Sequence, residues 1–110
     1  MNNNEEKIPT NYFITCFNRI GLDKNQWLDM GCSRTFGYYE EYETAVQALN
    51  ENWCDMHETI YNYAVVEGIE PGIHSYPKKR TFFKYDREKK GFFEIPEPEE
   101  FKHYCNIALG

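Results

Sequence analysis

The sequence predicts an α+β fold: a mostly antiparallel sheet of about five strands, one amphipathic helix packed on one face, and a short C-terminal helix. Three observations lead there. Several stretches rich in aromatic and β-branched residues are separated by Gly, Pro and Asn turn formers. One segment repeats its apolar residues at helical spacing. Finally, 110 residues, of which 41% are apolar and 17% aromatic, suffice for one core and not two.

Residues 1–10 are polar, carry Pro9 near their end, and read as a flexible N-terminal tail before a domain spanning 11–110. Tyr12 to Ile20 (YFITCFNRI) reads as the first strand. The following GLDKNQWLDMG is a long hairpin connection and hence a candidate functional loop, with Trp27 and Met30 expected to tuck under the sheet. Cys32 to Tyr39 reads as a second strand, broken at Gly37. From about Glu41 to about Met56, Tyr42, Ala45, Val46, Leu49, Trp53 and Met56 recur at i, i+3, i+4, i+7, with Glu41, Glu43, Gln47, Asn50 and Glu51 opposite. That spacing predicts the packed helix, with those six residues toward the sheet.

Thr59 to Ile69 (TIYNYAVVEGI) has the highest strand propensity and is expected near the centre of the sheet. Pro71, Gly72 and Pro77 bracket an irregular connection. KRTFFKY and GFFEI around DREKK predict a hairpin over 79–95 with Gly91 at the turn. Pro96 and Pro98 stop its second strand. After Pro98, Glu99 and Glu100 fill a first helical turn, and Phe101, Tyr104, Cys105 and Ala108 fit one face of a short helix.

Charge is segregated along the chain. No Lys or Arg lies between Arg34 and Lys78, whereas Glu40, Glu41, Glu43, Glu51, Asp55, Glu58, Glu67 and Glu70 all do; Lys78 to Lys90 then holds seven bases. A molecule with two oppositely charged faces is expected, within a net charge of −6. The start has neither the basic region nor the apolar stretch of a signal peptide, and no apolar run reaches membrane-spanning length. A cytoplasmic protein with no membrane association and reduced cysteines is expected.

The run RTFGYYEEYETAVQALNENWCDMHETIYNYAVVEGIEPGIHSY, then FFKYD and the ending EFKHYCNIALG, resembles small proteins encoded in gut bacterial genomes and their phages. Shared with them are a G-Y-aromatic-x-x-aromatic-x-x-A helix entry, a D-x-x-E-T-x-Y-x-Y-A-V-x-E strand and an acidic Pro-Glu segment before the last helix. The resemblance covers roughly residues 33–110. It implies a phage or mobile-element origin, and with it an inhibitor or sequestering protein aimed at the host.

Four cysteines (Cys16, Cys32, Cys54, Cys105) and three histidines (His57, His74, His103) contain no C-x-x-C and no recurrent finger spacing, so no metal and no cofactor are expected, although Cys54, His57, His103 and Cys105 supply zinc-binding types. Cys54 and His57, three apart, form the one nucleophile-base pair at helical spacing; nothing resembles an oxyanion hole, a nucleophile elbow or a phosphate loop. A non-enzymatic binding module is the primary reading. Its acidic, Tyr-rich face (Tyr39, Glu40, Glu41, Glu43, Glu51) would engage a host protein with a basic surface. The alternative is a nucleotide- or nucleic-acid-binding module using the hairpin 78–93, where Lys79, Arg80, Lys84 and Arg87 would meet phosphate and Phe82 would stack on a base. The opposing charge of the whole chain disfavours extended nucleic acid and leaves a small phosphate-bearing ligand.

Overall fold

The computed structural model describes residues 9–58, 60–71, 76–102 and 104–109. Residues 1–8 of the expected tail, His74 and His103 lie outside the described residues. Strands β1 (Asn11–Phe17), β4 (Ser33–Tyr39), β5 (Tyr63–Ile69), β6 (Lys79–Asp86) and β7 (Gly91–Ile95) form one antiparallel sheet in the order β4-β1-β5-β6-β7. Between β1 and β4 the chain makes a separate small hairpin of β2 (Gly21–Leu22) and β3 (Leu28–Asp29). Helix α1 (Tyr42–Asn50) packs across the sheet, and a single 3-10 turn, Glu99–Phe101, follows Pro98. The fold is α+β, with β5 central as its propensity predicts. At Gly68 on β5 a Cβ would come within 2.5 Å of the Tyr12 ring, which lies across it, so only glycine fits.

Strand alternation divides the core in two. Ile14 and Cys16 of β1, Ala64 and Val66 of β5, Phe83 of β6 and Phe92 of β7 point to the helix side, where Ala45, Ala48, Leu49 and Met56 close over them. The opposite side carries Phe17, Val65 and Phe82, covered by Phe101 and Ile107 of the C-terminal segment. Both faces of the sheet are therefore buried over their middle.

Helix α1 is shorter than its apolar spacing predicts. It ends at Asn50 because Asn52 turns to a left-handed φ of 60°, a conformation Asn tolerates, and its side-chain oxygen accepts the His57 backbone N–H at 2.7 Å. A 3-10 turn over Trp53–Glu58 replaces the expected last helical turn. Met56 still reaches the core, but Trp53 does not: it is 37% exposed and packs on Tyr39. Tyr42 and Val46 are half-buried at the edge of the core, and Ala48, on the flank of the expected stripe, is fully buried.

The expected C-terminal helix also stops after one turn, for a different reason. Glu67 of β5 is fully buried on the second face and accepts the backbone N–H groups of Ile107 (2.8 Å) and Ala108 (3.0 Å). Its cross-strand neighbour Arg80, nearly as buried, lies 3.4 Å from that carboxylate and donates to the carbonyls of Phe101, Tyr104 and Cys105. Tail backbone groups that a helix would pair internally are instead paired with two charged side chains of the sheet. Residues 104–109 consequently cross the second face, and the Ala108 carbonyl reaches Thr35 on β4 at 3.4 Å.

Leu49 is fully buried beneath α1. Replacing it with Ala opens a cavity and lowers stability by about 2–5 kcal/mol, read from urea denaturation. Burial pushes the Glu67 carboxyl above its usual 4.5, while the Ile107 and Ala108 N–H groups and Arg80 pull it back. A folded-state pKa above the unfolded one means the folded chain binds the proton more tightly. Stability from this group is thus complete below about pH 4.5 and declines as pH rises through the raised value. The stability of the wild type relative to Glu67→Gln should decline over that interval; a difference rising with pH would contradict a raised value.

Candidate functional site

The acidic face is assembled at the two ends of α1. Glu41 is the N-cap residue, yet its carboxylate makes no capping bond, and Glu40, Glu41 and Glu43 all project into solvent. Glu51, just past the C-terminus, is exposed and accepts hydrogen bonds from Gln47 Nε2 (3.0 Å) and Trp53 Nε1 (3.2 Å). Tyr39 precedes the helix and Trp53 follows it, and their rings meet edge to face at 5.9 Å. This ring pair joins the two acidic ends into one surface. Among the described residues, none of the four carboxylates has a basic side chain within ion-pairing distance. Two other members of the acidic segment are spent elsewhere: Glu67 in the second core and Glu70 against Lys78 at 3.3 Å. The five acidic-face residues read from sequence thus lie together, and Trp53, assigned to the core by its spacing, joins them.

The basic hairpin set is dispersed. Lys79 lies on the helix side, its Nζ 3.7 Å from the Tyr42 ring centroid. Arg80 is consumed by Glu67 and the tail carbonyls, and Phe82 is 1% exposed in the second core, so neither can meet a ligand. Strand alternation and the cross-strand ion pair remove both. Lys84 and Arg87 remain, at a groove of about 530 Å³ beside the β6–β7 turn. The groove also includes Lys89 and Phe93, which the sequence reading did not assign to the site. A signal for Phe93 existed: with 87–90 as the turn, Lys84 and Phe93 become direct cross-strand partners on one face.

The β2–β3 hairpin departs from expectation as well. Asp23 Oδ1 accepts the backbone N–H groups of Asn25 (2.8 Å) and Trp27 (3.0 Å), tightening the turn, and Trp27 stands 71% exposed instead of tucking under the sheet. Met30 does pack against the second core.

Cys54 and His57 do not form a nucleophile-base pair. Cys54 is exposed on a left-handed backbone, whereas His57 Nε2 donates to the Leu49 carbonyl and its ring packs against Tyr85 (5.6 Å) and Phe92 (5.4 Å). Among the described residues no three His, Cys, Asp or Glu side chains cluster as metal ligands. No helix among them is long and apolar enough to cross a membrane.

Comparison with protein-family models, curated proteins and solved structures finds no match. Functional inference rests on the chemistry of these surfaces.

The cysteines differ sharply in environment. Cys16 is fully buried, and burial pushes its thiol up to about 12, while Cys32 and Cys54 are exposed. Titration of the native protein with a disulfide reagent should modify Cys32 and Cys54 rapidly and Cys16 only on unfolding. Peptide mapping that finds Cys16 labelled in the native state would contradict this core.

Proposed function

We propose that this chain is a non-enzymatic binding module, a phage- or mobile-element-encoded inhibitor that acts in the cytoplasm by docking its acidic aromatic face on a basic surface of a host protein. The observation that carries the proposal is the grouping of Glu40, Glu41, Glu43 and Glu51, exposed and without basic partners among the described residues, around the joined rings of Tyr39 and Trp53. Interfaces concentrate binding energy in Tyr, Trp and Arg at their centre, with charge around them steering the approach. Here the aromatic pair is already fixed by ring packing and by the Trp53 bond to Glu51, so little side-chain freedom is left to lose on docking. Carboxylates spaced along both ends of α1 supply the steering field. The resemblance to proteins of gut bacteria and their phages supports a bacterial host protein as the partner.

Immobilised wild type and variants would be challenged with lysate of a gut bacterium at low and at elevated salt. A partner captured by the wild type should be lost with Glu43→Lys plus Glu51→Lys and with Trp53→Ala, and kept by a control variant on the sheet's other face, Lys84→Glu. With the partner purified, the double Lys variant should associate at least several-fold more slowly. The wild-type rate should fall with salt, because screening shortens the reach of charge to about 8 Å at physiological ionic strength. Captured proteins retained equally by every variant, or an association rate indifferent to salt, would remove this face as the docking surface.

A further inference from the structure

The basic groove beside the β6–β7 turn opens at the turn end of the second face, beyond the C-terminal segment: Phe101 covers Phe17 and Phe82, and no described residue of 96–109 lines the groove. Where that cover ends, the sheet still presents a large apolar ring. Phe93 is 47% exposed, directly across the ladder from Lys84. Three cations share the groove with it. Lys84 Nζ stands 6.0 Å from the Tyr63 ring centroid, and Lys89 Nζ 5.3 Å from that of Phe93. Arg87 is pinned at the turn end of the sheet by donation to Asn62 Oδ1 at 2.8 Å, with its guanidinium 5.7 Å from the Tyr85 ring centroid. Asn62 is itself fixed, its Nδ2 donating to the Asn18 carbonyl (3.0 Å) and its own carbonyl accepting the Tyr85 N–H (2.8 Å). The turn that carries Arg87 and Lys89 is held by Asp86, whose Oδ1 accepts the N–H groups of Glu88 and Lys89.

Among the described residues no carboxylate ion-pairs with Lys84, Arg87 or Lys89, although the chain as a whole carries −6. Asp86 and Glu88 also line the groove, Asp86 with one oxygen engaged by the turn N–H groups, and among the described residues neither lies within ion-pairing distance of the three bases. We infer that this groove binds a small nucleotide, with the base stacked on Phe93 and the phosphates held by Lys84, Arg87 and Lys89. A ring platform suits any flat π-system, and a trio of cations suits a compact polyanion. The volume of about 530 Å³ falls in the range of small-molecule sites. The surrounding negative charge opposes a long polyanion and leaves a short one. Lys84 and Phe93 lie on the face of the sheet opposite α1, at its turn end, so the site stands or falls independently of the docking surface proposed above.

Nitrogen-15-labelled full-length protein would be titrated with ADP, GDP, CDP and UDP, and with adenosine and pyrophosphate separately, following amide shifts and heats of binding. At least one nucleoside diphosphate should bind saturably, with shifts centred on residues 84–95. Adenosine and pyrophosphate should each bind at least tenfold more weakly than the best diphosphate. Lys84→Glu with Arg87→Glu should weaken that ligand at least tenfold, and Phe93→Ala should weaken it while leaving pyrophosphate unchanged. Amide spectra of the variants report whether the fold is kept, and the exposed Phe93 makes its truncation a mild one. No saturable shift with any of the four diphosphates up to about 1 mM, the weak end of specific affinity, would overturn the site. Shifts centred elsewhere would do the same. Pyrophosphate binding as tightly as the diphosphates would reduce the groove to a general anion patch and overturn the nucleotide assignment.

Discussion

The buried pair of Glu67 and Arg80 is the interaction on which the second half of the core depends. Burying a carboxylate and a guanidinium is expensive unless each is paired and every remaining polar atom finds a partner. Here the two face each other across the β5–β6 ladder, Arg80 Nε making only the 3.4 Å ion-pair contact, and most of their remaining capacity is directed at the backbone of the C-terminal segment: two N–H groups onto Glu67 and three carbonyls onto Arg80. The pairing is reciprocal, since a tail in this irregular course would otherwise bury unsatisfied amides. Held in place, the tail puts Phe101 and Ile107 over Phe17, Val65 and Phe82, which would otherwise form an apolar sheet face open to water.

That arrangement also shapes the molecule's electrostatics. With Glu67 and Arg80 neutralising each other inside and Glu70 paired with Lys78, the charges left to act on the surroundings are fewer and better separated than a count along the chain indicates. Carboxylates gather around α1 on one side of the sheet; Lys84, Arg87 and Lys89 gather at the β6–β7 turn. Lys79 is the exception, a base on the helix side, where it rests on the Tyr42 ring. The separation follows from strand alternation, which sends neighbouring residues of one basic stretch to opposite faces.

Exposed aromatic rings accompany both charged regions and are held by short-range bonds in each. Trp53 is anchored to Tyr39 and Glu51, and Phe93 lies beside Lys84 and under Lys89. Trp27 forms a third exposed ring on a turn braced by Asp23. Trp53, held by a ring contact and a hydrogen bond, loses little entropy on binding because its conformation is already restricted.

The sequence by itself determined the strand segments, the helix entry, the hairpin over 79–95 and the burial of Leu49, because these follow from local propensity and from periods of two and 3.6 that a linear reading detects. It also placed Glu40, Glu41, Glu43, Glu51 and Tyr39 on one surface, since residues on and beside one helix inherit its geometry. Only the tertiary structure decided the roles of Arg80, Phe82, Trp53 and the tail. Arg80 read as a surface base because its partner lies thirteen residues back on another strand, and Phe82 as a stacking ring because its cover comes from Phe101, nineteen residues on. Trp53 left the core when Asn52 adopted a left-handed backbone, a local choice that apolar spacing does not register. The short C-terminal helix forms as a single 3-10 turn and goes no further, because the tail backbone pairs with the Glu67 and Arg80 side chains of the sheet, and such competition is resolved only when the strands are assembled.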